Sequence, residues 1–159
     1  MIARRVWAVL AVLLSVAAVA AGCGGEDPPP FTESTPAVQW GQAISAGPVD
    51  VMASEPEDFT SSRSASPRDT EGWRAVLVIT NRSSQPVSPA AIRVYASEGG
   101  APRWEIVDPV SGCNGLSSAA PIPPGGRAGV TTCWQGSDGD RRLAFVSPSA
   151  GSMATFGES

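Results

Sequence analysis

From residue 38 onward the chain is written in short stretches where apolar and polar residues alternate, each closed by glycine, proline, serine or asparagine. Val49, Val51 and Ala53 alternate with Asp50, Met52 and Ser54, a period of two that sets one face inward in a half-buried strand. Residues 73–80, WRAVLVIT, form the most apolar stretch outside the N-terminus. They are rich in β-branched side chains and apolar at both parities, which predicts a central strand with both faces at least partly covered. NRSSQP at 81–86 then reads as a turn.

The same grammar repeats. Ile92, Val94 and Ala96 alternate with Arg93, Tyr95 and Ser97, and Glu98-Gly99-Gly100 turns the chain. Trp104 and Ile106 fall opposite Arg103 and Glu105 before Asp108-Pro109 breaks the strand. After the Pro-Gly turn at 121–126, Val130, Thr132 and Trp134 share one face while Thr131 and Cys133 share the other. Residues 135–140 read as a hairpin-like connection into a strand at 143–146, and 153–156 as a last strand. Two long irregular pieces remain, 55–72 and 111–120, the first longer than most connections in compact domains and so a flexible flap or a binding loop. No stretch keeps a helical repeat of apolar residues for three turns, so the expected fold class is all-β.

The N-terminus follows another rule. Arg4 and Arg5 precede residues 6–21, an apolar run broken only by Ser15, and Ala20-Ala21-Gly22-Cys23 closes it with small residues. At about 1.5 Å per residue in a helix this core reaches roughly 24 Å, short of the roughly 30 Å of hydrocarbon in a bilayer. It therefore reads as an export signal to be removed, with 1–22 as the signal peptide. The small residues and the cysteine resemble the lipobox of bacterial lipoproteins, with one departure: Ala20 stands where leucine is commonest. The resemblance implies that the Cys23 thiol carries a diacylglyceryl group bearing acyl chains such as palmitate. Ordinary cleavage near Ala18-Val19-Ala20 also fits a small-x-small site and would release a soluble form.

Residues 23–37 have the composition of a tether. Three consecutive prolines favour an extended, semi-rigid backbone, so this stretch would hold a following domain, 38–159, about 40 Å clear of the lipid. Phe31 is the one residue that a plain spacer does not need.

Composition narrows the chemistry. Net charge is −4 for the whole chain and about −6 once residues 1–22 are removed, a poor match to nucleic acid or to an anionic surface. All 11 basic residues are arginine, and histidine is absent. Without histidine there is no imidazole base for a serine or cysteine nucleophile, and none of the usual imidazole ligands for zinc or blue copper. Without lysine there is no Schiff base and no Ser-x-x-Lys nucleophile. Cys113 and Cys133 remain as a pair in an exported domain, which predicts a disulfide.

The strand-turn segment 73–86, whose apolar run leads into Asn81, and the Pro-Gly turn entering a strand at 122–130 resemble the immunoglobulin-like β-sandwich domains of secreted proteins and lipoproteins of actinobacteria and related Gram-positives. That family includes the mycobacterial immunoprotective extracellular antigen. The likeness covers about 38–156 and implies an immunoglobulin-like antiparallel β-sandwich with no shared catalytic residues. The Cys-Trp-Cys spacing of antibody domains is missing.

Glu55, Glu57 and Asp58 form one acidic patch and Asp138 with Asp140 a second; both carry oxygen ligands that suit calcium, but neither matches a twelve-residue calcium loop. Glu105 beside Trp104 is the one carboxylate with an aromatic neighbour of the kind glycosidases use, while Trp40, Trp73, Trp104 and Trp134 are expected in the core. The sequence names no catalytic residue, no metal ligand and no cofactor. The expectation is a non-enzymatic interaction module at the outer face of the cytoplasmic membrane, lipid-anchored through Cys23, with 55–72 and 111–120 facing an envelope or extracellular protein partner. A structural or assembly subunit of an envelope transporter or enzyme is the alternative, and a hydrolase the third reading.

Overall fold

The alternating stretches become ten strands: β1 (Ala37–Val38), β2 (Ala43–Ala46), β3 (Val49–Ala53), β4 (Glu57–Thr60), β5 (Glu71–Asn81), β6 (Arg93–Glu98), β7 (Ala101–Arg103), β8 (Arg127–Gln135), β9 (Arg141–Val146) and β10 (Met153–Gly157). The computed structural model describes residues 37–147 and 153–158, so the signal segment, the anchoring role of Cys23 and nearly all of the tether lie outside the described residues. One sheet has the order β1-β10-β9-β6-β7. In the other, β5 is central: β3 and β4 lie end to end along one side of it, β2 continues outward from β3, and β8 covers the opposite side. All pairings are antiparallel except that of β1 with β10. The chain is thus an all-β, immunoglobulin-like sandwich, the class that the periodicity implied and the architecture that the resemblance implied, and Ala37, read as tether, is already paired, with Thr155.

β5 shows how the pattern selects the inside. Trp73, Ala75, Leu77 and Ile79 are at most 1% exposed, and with Val49, Val51, Leu143, Phe145 and Phe156 they fill the space between the sheets. Each fully buried aliphatic or aromatic side chain contributes about 1.5–3 kcal/mol from lost water contact. The opposite face of β5 is not covered along its length. A second small cluster of Ile106, Cys113 and Cys133, with Phe59 and Ala65 against it, covers the end near Gly72, whereas Val76 further along is 40% exposed. The expectation of two faces at least partly covered is met: the inner face is sealed, and the outer one is covered at the Gly72 end and open at Val76.

Three indoles close the core at that end. The Trp73 ring lies 6.4 Å from Trp40 and 6.5 Å from Trp134, and Trp40 stacks on Phe156 at 6.3 Å. Trp104, expected with them, is 75% exposed. The reason is topological: β7 ends at Arg103, and the chain then leaves its sheet to bridge β8 of the other sheet at Glu105, so the parity read from Arg103 onward does not carry across. The connection at 135–140 is likewise no hairpin. It passes from β8 in one sheet to β9 in the other, because a period of two reports the inward face of a strand without naming its neighbour.

At the far end Asn81 replaces what looked like a solvated turn residue. It is fully buried; its amide nitrogen donates to the carbonyls of Gln85 (2.7 Å) and Ile122 (2.9 Å), and its side-chain oxygen accepts from the Ser83 N–H and hydroxyl, both at 2.8 Å. The Asn81-Arg82-Ser83 triplet has the form of a glycosylation acceptor, but its acceptor nitrogen is inside and occupied.

Candidate interaction surface

Residues 55–72 are not the irregular flap that their composition suggested. Residues 57–60 are β4, in register with β5 from Glu57↔Arg74 to Thr60↔Glu71. The sequence hid this strand because an acidic, serine-rich stretch has low strand propensity; pairing with the apolar β5 supplies what propensity does not. Beyond it the loop is closed on itself: the Ser61 and Thr70 backbones bond at 2.9 Å, and the Ser61 hydroxyl donates to the Pro67 carbonyl while accepting the Thr70 N–H, both at 2.9 Å.

Asp108 joins this loop to the next. One carboxylate oxygen accepts the Ser62 N–H and the Ser111 hydroxyl, each at 2.7 Å, and the other accepts the Ser62 hydroxyl at 2.8 Å. The Ser111 N–H approaches the second oxygen at 3.4 Å, which caps the short 3₁₀ turn Pro109–Ser111. The side chain is fully buried. These donors, the Ser62 N–H foremost, hold the carboxyl at a pKa of about 2, below the ordinary 3.8. A backbone pair between Ser66 and Val107, at 2.9 and 3.0 Å, runs alongside. Sequence reading took Asp108 only as a strand breaker; the Asp-Pro-x-Ser spacing, a side-chain oxygen three residues before an N–H, was the available signal.

The disulfide completes the assembly. Cys113 and Cys133 are bonded, with Cα atoms 5.7 Å apart, so the predicted pair ties the 106–113 loop to β8. The Ile106 N–H donates to the Cys133 carbonyl (2.7 Å), and the Gln135 N–H to the Trp104 carbonyl (3.0 Å). Part of each expected binding loop, 61–70 from 55–72 and 111–113 from 111–120, is thereby fastened into one pad on the outer face of the β5 sheet. Within it Val107 is 45% and Val110 77% exposed, and Trp104, just before it in the chain, is 75% exposed. The rest of 111–120 leaves the pad through a 3₁₀ turn, Leu116–Ser118, and packs against Pro89–Ala91.

The acidic patches resolve mostly into ion pairs. Glu57 meets Arg74 at 3.0 Å, Asp140 meets Arg142 at 3.0 Å, and Asp58 meets Arg141. Among the described residues no three acidic, cysteine or histidine groups converge as a metal cluster. Arg141 also pairs at 3.5 Å with Glu98, whose side chain is 2% exposed and which pairs in turn with Arg103 at 3.1 Å. The Arg141 guanidinium lies 5.9 Å above the Trp73 ring. It therefore links β4, β5, β6 and β9 across the end of the sandwich. A glycine-and-glycine turn at Glu98 was all that the sequence showed; burial of its carboxylate depends on Gly136, where a side chain would collide with it. A cleft of about 590 Å³ lies beside this cluster, lined by Gln39, Trp40, Glu55, Pro56, Arg141 and Glu158 among others, but its one arginine is already engaged by two carboxylates. Glu105 lies against Gly115, and the loss of water there pushes its carboxyl above the ordinary range.

The fold and the pad together define a β-sandwich that displays a stapled apolar loop surface. No protein-family model and no curated protein matches the chain. Solved structures do share the fold. An uncharacterised β-sandwich protein of Clostridium difficile 630 aligns over 82% of this chain and 100% of its own, with 11% identity and a TM-score of 0.52. The ycdA protein of Bacillus subtilis, described as a "putative lipoprotein", aligns over 73% of this chain and 38% of its own at 10% identity and TM-score 0.54. The yjhA protein of Bacillus subtilis aligns over 67% and 78% at 5% identity and TM-score 0.52. At such identities the likeness shows the sandwich fold alone.

Proposed function

We propose that the protein is an extracytoplasmic interaction module, lipid-anchored at Cys23, which presents the Asp108 pad to an envelope or extracellular protein. The observation that carries this reading is the exposure of Trp104, Val107 and Val110 on a loop held by a disulfide and a four-donor carboxylate. A chain does not gain stability from holding large apolar groups in water, and a rigid display lowers the entropy lost when a partner covers them. Support for the anchor comes from the charged, apolar and small-residue order of 4–23. Kinship with the actinobacterial immunoglobulin-like family is part of the same proposal, as is the absence of a catalytic step.

The test has two arms. Mass analysis of the N-terminal peptide from a membrane fraction should give Cys23 carrying a diacylglyceryl group, and Cys23→Ser should move the protein out of the detergent phase. A photo-crosslinking residue at position 110 in cells should yield a discrete protein adduct that Trp104→Ala weakens. Unchanged detergent partitioning of Cys23→Ser removes the anchor, and diffuse labelling insensitive to Trp104 removes the docking surface.

A further inference from the structure

The β5 sheet is unfinished along β8. The bonds to Trp104 and Ile106 show that the odd-numbered residues of this strand turn their N–H and carbonyl groups away from β5. Arg127, Gly129 and Thr131 continue that series, and no strand or bridge among the described residues meets them; the 3₁₀ turn Leu116–Ser118 packs against β8 and, with Thr132 and Trp134, lines a cleft beside the other end of the strand. Other edges are guarded. β1 has two residues, β7 has three with Pro102 in the middle, and β4 carries Glu57 and Asp58. β2 has four residues and lies beside β10. Residues 127–132 contain neither proline nor bulge, and Val130, Thr131 and Thr132 are strong strand formers.

Gly129 is a second, independent observation. Its φ lies outside the left-handed region, and a Cβ there would meet only the Val76 Cγ1 at 3.9 Å, an ordinary contact. Nothing within the domain therefore asks for glycine at this point. A glycine inside a strand weakens it and marks a place where another group comes close. What it does here is leave Val76 bare, 40% exposed, in a sheet where Val76 pairs with Thr131 and Val78 with Gly129. Arg127 at the end of the same edge is exposed and makes no ion pair among the described residues.

We propose that this edge is a strand-addition site for an extended segment of a partner protein, antiparallel to β8, with a bulky apolar residue opposite Gly129 and a carboxylate two residues later, opposite Arg127. Three facing pairs at 127, 129 and 131 would supply about six backbone hydrogen bonds. The bulky side chain would lie across the glycine onto Val76, the way aromatic residues cover strand glycines. The direction follows the 104–106 segment, which already pairs antiparallel with the other end of the same edge before the chain departs at Val107. A second copy of the chain fits less well: two β8 strands related by a two-fold at Gly129 would face glycine with glycine and Arg127 with Thr131, leaving Val76 uncovered and the guanidinium unpaired.

The proposal deepens the interaction-module reading and fails separately from it, since adducts at position 110 report the pad and not this edge. The test uses the full chain in detergent and a fluorescein-labelled peptide, Thr-Val-Thr-Trp-Thr-Glu-Thr, titrated by anisotropy. Saturable binding is expected, weakened about tenfold or more by Thr131→Pro, which removes an outward N–H without touching a bond to β5, and by Gly129→Val. Arg127→Glu should lose the same peptide and regain one with arginine in place of the glutamate. Circular dichroism confirms that each variant is folded, and the charge swap stands by itself if Thr131→Pro is not. Absence of saturable binding to 1 mM peptide, indifference to the charge swap, or self-association of the chain through this edge without peptide binding each overturns the proposal.

Discussion

Replacing Cys113 and Cys133 together by alanine removes a cross-link that closes a 20-residue separation. In the chain-entropy account that closure is worth about 3 kcal/mol, because the unfolded chain regains the freedom that the bond denied it. Both sulfurs are buried, at 1% and 0% exposure, in the small cluster with Ile106. Losing their packing adds about 1 kcal/mol. A total near 4 kcal/mol on a domain of this size lowers the melting temperature by about 15 °C. Urea unfolding followed by circular dichroism should show the same loss, with a larger slope against denaturant because the uncrosslinked chain exposes more surface. A fall of less than about 5 °C with an unchanged slope would refute this account, and would mean that the Asp108 bonds hold the 106–113 loop in place without the cross-link.

Asp108 has a folded pKa of about 2 against an ordinary 3.8, so its ionised form stabilises the fold above pH 3.8 and that contribution is lost as pH falls from about 4 to 2. Asp108→Asn should therefore be less stable than the parent at pH 6 and show a shallower decline across that acid window in pH-dependent melts. Arg141→Met leaves Glu98 buried with Arg103 alone and frees Asp58, a loss of about 3 kcal/mol by chemical denaturation; an unchanged midpoint would show that Arg103 suffices. Gly72→Ala places a methyl group against the Trp134 carbonyl and 2.7 Å from the Ile106 Cδ1, so it should cost about 1–3 kcal/mol and loosen the pad to proteolysis. Equal stability and equal cleavage would contradict the packing of that face.

The sequence by itself determined the class of fold and the inward face of most strands, since a period of two and a closing turn are local properties of the backbone. Val49 to Ala53, Val130 to Trp134 and the cysteine pair were legible for that reason: each depends on residues near in the chain or on a count. It also set the expectation of an exported, lipid-anchored chain without histidine or lysine chemistry. Which strand neighbours which was decided only by tertiary structure, and with it the sheet change after Arg103 that exposes Trp104, the pairing of β4 under an unpromising sequence, and the passage from β8 to β9. Asp108, Asn81 and Glu98 belong to the same kind of fact. Each is a polar residue that reads as a solvated turn until distant donors or partners, Ser62, Ile122 and Arg141, arrive beside it and make its burial stable. The open edge at Gly129 is likewise invisible in a list of residues, because an edge is defined by a strand having no neighbour among the described residues.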